Sequence, residues 1–187
     1  MAIICRAIFL FSLKWYYKRE DYSLYNTMNN KLKNIVLLLI CLAIPLAIGY
    51  LGSMLTSAGV NTWYPLLNKP AFNPPNYLFG PVWTFLYLLM GVAFFLVLKN
   101  GRENKYFRHA YLSFAAQLFL NLYWSFLFFY IKMPSLAFWA IISLLSMMIV
   151  NSYYFYQIKK AAAYLYIPYI AWVSFAAVLN YFIWQLN

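Results

Sequence analysis

Hydrophobic positions along this chain fall into long blocks broken by short polar, mostly basic, segments. No charged side chain occurs between Lys33 and Lys69, from Pro70 to Leu98, from His109 to Ile131, from Met133 to Ile158, or from Ala161 to Asn187. A helix that crosses a bilayer needs about 20 apolar residues. Each block holds one such helix, and none comfortably holds two. The pattern predicts helices near Leu32–Leu55, Leu78–Leu98, His109–Tyr130, Ser135–Gln157 and Ala162–Leu186. Membrane strands alternate polar and apolar residues. These blocks are apolar on every side and read as buried or lipid-facing helices. The expected fold is an all-α integral membrane protein, a five-transmembrane-helix bundle with a long ordered loop between helices 1 and 2.

Composition strengthens that reading. Of the 187 residues 66% are hydrophobic and 9% charged, against roughly 45–50% and about 25% in soluble domains. So few charges cannot cover a soluble surface. The same numbers exclude a disordered chain. The net charge of +11 would suggest nucleic acid if it were clustered on one soluble face. Instead it alternates with the predicted helices. Arg6, Lys14, Lys18, Arg19, Lys31, Lys33, Lys99, Arg102, Lys105, Arg108, Lys159 and Lys160 fall on one side, and Lys69 and Lys132 on the other. Basic residues concentrate on the cytoplasmic side of membrane proteins. The expected topology therefore has a cytoplasmic N-terminus and an outside C-terminus, and no nucleic-acid partner.

The three carboxylates, Glu20, Asp21 and Glu103, all lie on the basic side. No Asp, Glu, Lys or Arg falls inside a predicted span, whereas ion-coupled carriers keep ionisable groups at the midplane. Paired-carboxylate chemistry has no candidates. The single histidine, His109, opens the third helix beside the basic loop, where an interfacial residue fits better than a catalytic base or a haem ligand. Cys5 and Cys41 stand 36 apart with no metal-site spacing, and Cys41 reads as a small buried hydrophobe. No metal site is expected.

Residues 1–30 differ from the rest and are taken as an N-terminal extension to a membrane domain at 31–187. Ala2–Leu13 is too short to span, and its positive charges follow the apolar run rather than precede it. Met28 directly precedes Asn-Asn-Lys-Leu-Lys and the first helix, which makes it an alternative start. A short interfacial helix is the rival reading.

The connection Thr56–Tyr77 carries four of the eight prolines, Pro65, Pro70, Pro74 and Pro75, with Trp63, Tyr64, Phe72 and Tyr77. Proline fixes its own φ and restricts the residue before it, so this loop is stiff. A stiff aromatic loop fits two arrangements: a lid over the bundle, or an interfacial belt of Trp and Tyr at headgroup level.

Three ordered blocks resemble one family. The first runs Trp63-Tyr64-x-x-Leu67-x-Lys69-Pro70-x-Phe72-x-Pro74-Pro75-x-Tyr77-x-Phe79-Gly80-Pro81-Val82-Trp83-x-x-Leu86-Tyr87-x-x-Met90-Gly91. The second is Gln117-Leu118-x-Leu120-Asn121-x-x-Trp124-Ser125-x-Leu127-Phe128-Phe129. The third is Pro168-Tyr169-x-x-Trp172-x-x-Phe175-Ala176-x-x-Leu179-Asn180. Together they resemble the TspO/MBR family, the tryptophan-rich sensory proteins of bacteria and the mitochondrial translocator (peripheral benzodiazepine receptor) proteins. Two positions depart from the family, which usually has Trp where Phe72 stands and often where Tyr77 stands. Phe72 keeps a ring but loses the indole N–H. The basic residue that closes the animal cholesterol motif is missing after Leu179-Asn180-Tyr181, so no cholesterol binding is expected.

Spacing alone places Trp83 with Tyr87 on one helix face, and Gln117, Asn121 and Trp124 on another. Trp172, Ala176 and Leu179 follow the same stripe on the fifth helix, with Asn180 one position on. Amides within a bilayer must find partners inside the protein. Gln117 and Asn121 therefore serve either as interhelical glue or as pocket lining. The resemblance implies a ligand-binding set of Trp63, Tyr64, Pro70, Phe72, Pro74, Pro75, Trp83, Tyr87, Gln117, Asn121, Trp124, Tyr169, Trp172, Phe175, Ala176 and Asn180. It implies Trp83 and Trp172 as the pocket tryptophans, closed over by the Trp63–Pro75 loop. The family binds protoporphyrin IX-like porphyrins and synthetic flat ligands. Some bacterial members consume bound protoporphyrin in light, which makes Trp83 and Trp172 candidate redox residues with no cofactor required. Propionates of a bound tetrapyrrole would reach Lys69. The alternative reading is a facilitator that passes tetrapyrroles or other lipophilic molecules across the membrane. The resemblance also implies a homodimer in a bacterial cell membrane, in contact with lipid. Small-residue pairs such as Gly49/Ser53 are the kind that lets membrane helices approach each other.

Overall fold

The computed structural model describes residues 30–57 and 59–187 in full. Helix α1 is Ala2–Val60, α2 Asn76–Asn100, α3 Phe107–Ser125, α4 Pro134–Ile158, α5 Lys160–Tyr164 and α6 Ile167–Leu186. No strand occurs among the described residues. Five segments are long and apolar enough to cross a membrane: Asn30–Ser57, Asn76–Asn100, Phe107–Tyr130, Pro134–Ile158 and Lys160–Leu186. The chain divides into two units, residues 1–39 and 40–187. In the first, Leu32, Ile35, Val36 and Leu39 are exposed apolar side chains, as lipid-facing positions should be. The reading of residues 1–27 as an extension or an interfacial helix falls outside the described residues.

The five expected spans are present, and their ends differ in three places. Helix α1 runs on to Val60 rather than stopping near Leu55. No proline falls between Thr56 and Val60, the helix runs through Gly59, and the Ser57 hydroxyl donates back to the Met54 carbonyl at 2.8 Å. The irregular loop is therefore shorter than the expected Thr56–Tyr77. It contains one turn of 3-10 helix, Tyr64–Leu66, and ends at Pro75, which stands directly before α2. The third span finishes in a wide π turn, Phe126–Tyr130, in which the Ile131 N–H donates to the Phe126 carbonyl at 2.9 Å. Lys132 then takes a left-handed φ of 62, and Pro134 opens α4, where its missing N–H costs nothing. The fifth span is two helices rather than one. Pro168 cannot donate to the carbonyl four residues back and its ring crowds that carbonyl. The chain accordingly turns at Leu165–Tyr166 between α5 and α6.

Within the second unit α4 packs on α3, α5 and α6, and α5 also packs on α2. The end of the bundle near the α2–α3 and α4–α5 connections is filled by rings. Phe94 stacks on Phe114 at 4.0 Å between centroids, Phe114 on Phe155 at 6.1 Å, and Phe155 meets Tyr166 edge-on at 5.3 Å. Helix α1 approaches α2 closely at Gly91, where an added Cβ would stand 2.8 Å from the Cys41 carbonyl oxygen and the Leu42 Cα. Farther along α1, Gly49 lies flat against the Tyr87 ring and leaves no room for a Cβ. Glycine at these two positions lets the helices touch backbone to backbone or backbone to ring, the close approach that small residues permit in membranes.

Candidate functional site

The other end of the bundle, beside the α1–α2 loop, is hollow. A cavity of about 510 Å³ opens there, within the size range of small-molecule sites. Helix α1 contributes Leu46, Gly49, Ser53, Thr56 and Val60, spaced three or four apart along one face, with Tyr50, Gly52 and Ser57 beside them. Helix α2 contributes Phe79, Gly80, Trp83, Thr84 and Tyr87 on the same periodicity. Asn121, Trp124 and Ser125 come from α3, and Phe128 and Phe129 from the π turn. Helix α6 adds Ala176, Leu179, Asn180 and Ile183, and Tyr64 enters from the loop. Among the described residues no charged side chain lines the cavity and no cluster of metal-ligating side chains occurs.

Two polar pairings fix the walls. The Tyr87 hydroxyl donates to Asn121 Oδ1 at 2.7 Å, and Asn121 Nδ2 donates to the hydroxyl of Tyr169 at 2.8 Å. Tyr169 is fully buried behind Asn121, so this amide ties α2 to α6 through α3. The Trp124 indole N–H donates to Asn180 Oδ1 at 3.0 Å, and Asn180 Nδ2 to the Pro134 carbonyl at 2.8 Å. The rings also pack on one another, with Trp124 stacked on Phe128 at 5.6 Å. Trp83 lies 6.3 Å from Trp124 with planes 30° apart, and 5.7 Å from Tyr87. The result is an aromatic slot whose polar atoms are held by one another.

The loop closes one wall. Tyr64 is buried, and its hydroxyl donates to Asn73 Oδ1 at 2.7 Å. Burial pushes its phenol up to about 12, against the opposing pull of the Asn73 hydrogen bond. Trp63 packs edge-on to Phe128 at 5.7 Å. The Asn68 N–H donates to Asn187 Oδ1 at 2.9 Å, and Asn187 Nδ2 donates to the Asn68 carbonyl at 3.0 Å. Lys69 Nζ donates to the Pro65 and Leu67 carbonyls, both at 3.3 Å, and sits 4.9 Å over the Tyr64 ring. Its charge is spent on the loop itself rather than presented to the cavity.

Of the residues expected from sequence, Tyr64, Trp83, Tyr87, Asn121, Trp124, Ala176 and Asn180 line the cavity together. Tyr169 stands behind Asn121 as its support. Gln117, one turn below Asn121, is also fully buried but bonds Tyr166 at 2.7 Å and lies outside the cavity lining. Trp172 lies outside it too, packed edge-on against Phe79 at 5.9 Å, with its indole N–H buried and without a hydrogen-bond partner among the described residues. Phe72 sits outside on Phe175 and Phe182 at 6.3 and 5.5 Å. Trp63, Pro70, Pro74 and Pro75 shape the loop without lining the cavity. Sequence reading missed the wall from α1. Its signal was the Leu46, Gly49, Ser53, Thr56, Val60 spacing, in which Gly49/Ser53 resembled a helix-pairing motif.

The TspO/MBR family model matches residues 41–185. The chain is 39% identical over 155 residues to the tryptophan-rich protein TspO of Chlorobaculum tepidum, covering 83% of this chain and 98% of that protein. It is 41% identical over 154 residues to the tryptophan-rich protein TspO of Archaeoglobus fulgidus, covering 82% and 99%. It is 34% identical over 143 residues to the human translocator protein, covering 74% and 82%. The matched region takes in every described residue of the cavity wall, and the chain belongs to the TspO/MBR family.

Proposed function

We propose that this integral membrane protein is a receptor for flat, largely apolar polycyclic molecules, with porphyrins of the protoporphyrin IX type as the ligand class. The observation that carries this reading is the uncharged aromatic slot formed by Trp83, Tyr87 and Trp124, with the Asn121 and Asn180 amides in its wall. Offset stacking on indole and phenol faces suits a flat ring system, and a few fixed polar atoms orient it. Among the described residues no histidine or cysteine lines the slot. Polar propionates would have to lie at the rim. In this reading the protein occupies a bacterial cell membrane with its N-terminus in the cytoplasm.

Light-driven breakdown of the bound ring is a second reading, favoured by the Trp83–Trp124 pair at the slot. In it Trp83 takes the redox role, because Trp172 lies outside the cavity lining. Titrating the purified protein with protoporphyrin IX, read by tryptophan fluorescence in the dark, tests the first reading. Saturable quenching that Trp83→Ala weakens supports it, and the absence of saturable quenching refutes it. Illuminating the same complex tests the second. Loss of porphyrin absorbance that depends on Trp83 supports breakdown, and an unchanged spectrum leaves binding alone.

A further inference from the structure

The walls of the cavity are not equally sealed. Every lining residue from α3, the π turn, α6 and the loop is buried or half-buried. Among the described lining residues six are exposed, and all belong to α1 or α2: Tyr50, Ser53 and Ser57 on one helix, Asn76, Gly80 and Thr84 on the other. Each trio recurs every three or four residues and so forms one helix edge. The two edges are the rims of an opening. At Gly80 an added Cβ would meet nothing within 4 Å.

The rim sits at membrane depth. Tyr50 and Ser53 lie inside the end of the first span at Ser57, and Gly80 and Thr84 lie inside the start of the second at Asn76. At about 1.5 Å per residue these positions are roughly 6–12 Å below the span ends. The rim hydroxyls are compatible with hydrocarbon, because each donates to a carbonyl of its own helix. Ser53 reaches Tyr50 at 2.7 Å, Ser57 reaches Met54 at 2.8 Å and Thr84 reaches Gly80 at 2.9 Å. A hydroxyl satisfied in this way carries little cost against lipid tails. On the aqueous side, by contrast, Tyr64 closes the wall at 3% exposure and Asn68 is tied to Asn187.

We propose that the gap between α1 and α2 is a lateral portal, through which a lipophilic ligand passes between the hydrocarbon layer and the cavity while the loop stays shut. The proposal rests on reading the cavity as a ligand site. It follows that the ligand partitions into the bilayer first, and that association depends on its mole fraction in lipid.

The test is stopped-flow tryptophan fluorescence of the full chain in phosphatidylcholine nanodiscs with protoporphyrin IX as probe. Gly80→Leu puts a side chain into the mouth without a clash and should slow both association and dissociation by about tenfold. Asn187→Ala removes the side chain that holds the Asn68 backbone, so it unties the loop, and it should leave the association rate within about twofold. Thr84→Phe narrows the same mouth from the same helix and provides a second obstruction if Gly80→Leu does not fold. Unchanged rates in the folded mouth variant overturn the portal, as does faster association in Asn187→Ala. If the unmodified protein binds no probe, the ligand reading falls and the portal with it; if binding persists with unaltered rates, the portal alone falls.

Discussion

The two ends of this bundle use the same residue types to opposite ends. Near the basic connections, Phe94, Phe114, Phe155 and Tyr166 stack or meet edge-on and fill the space between α2, α3, α4 and α5. Near the loop, Trp83, Tyr87, Trp124 and Phe128 also lie close together but surround a cavity of about 510 Å³. The difference lies in whether the rings close over the space between them. In the filled end Phe94, Phe114 and Phe155 stack directly, and Tyr166 is also held by the Gln117 amide. In the hollow end Tyr87 and Trp124 are held through hydrogen bonds to Asn121 and Asn180, and their rings border the cavity. Aromatic content alone therefore does not mark a binding site; rings anchored by amides around open space do.

That contrast can be broken at either end. Phe114→Ala removes a ring from the filled end and should cost about 3–5 kcal/mol, lowering the unfolding temperature by roughly 2–4 °C per kcal/mol. Trp83→Ala removes a ring from the hollow end. Its main cost should be to ligand, a loss of about 10–100-fold in porphyrin affinity, or roughly 1.4–2.8 kcal/mol, with a small change in unfolding temperature. Fluorescence titration beside a thermal melt reads both quantities. If Trp83→Ala destabilises as much as Phe114→Ala, the two ends are not different in kind.

The anchors come next in size. Asn121→Leu leaves the buried Tyr87 and Tyr169 hydroxyls without the partner they share, at a cost of about 1–3 kcal/mol. It should weaken ligand binding as well, because Tyr87 is then free to turn into the slot. Tyr169→Phe, which removes a single hydrogen bond behind the wall, should cost about 1 kcal/mol and spare most of the affinity. Smallest is Asn187→Ala, which frees the Asn68 backbone in the exposed loop and is expected to cost about 0.5–1 kcal/mol. Hydrogen exchange should register it as faster exchange confined to residues 61–75, with the cavity walls from α3 and α6 unaltered.

Much of the architecture was legible from residue order. Long charge-free blocks can do little else in a bilayer, so five helices follow from hydropathy and length. Helix ends were less legible, because they depend on local backbone chemistry. Pro168 splits the fifth span, and the π turn at Phe126–Tyr130 shows in no residue pattern, since five large apolar side chains are equally at home in a straight helix. At the site, periodicity placed Trp83 with Tyr87 and Asn121 with Trp124 on common faces, and the structure brings these four together. It could not say that Gln117 points to Tyr166 below the cavity, because residues one turn apart on a helix can serve different layers of a bundle. Nor could it place Trp172, whose side chain packs on Phe79 outside the cavity lining although its position falls on the same stripe as Ala176. The α1 wall escaped notice because its members are mostly small, and small residues signal close helix contact and open space alike.

The central claim is that the hollow end, and not the aromatic content of the chain, is the binding site. Ala176 is buried on α6 with the cavity beside it, and Ala176→Phe should place a ring in that space. Equilibrium titration of this variant with protoporphyrin IX, alongside its unfolding temperature, is the most direct measurement. We expect an affinity loss of about 100-fold or more with an unfolding temperature equal to or above that of the unmodified protein. Undiminished porphyrin affinity in a folded Ala176→Phe variant would contradict it.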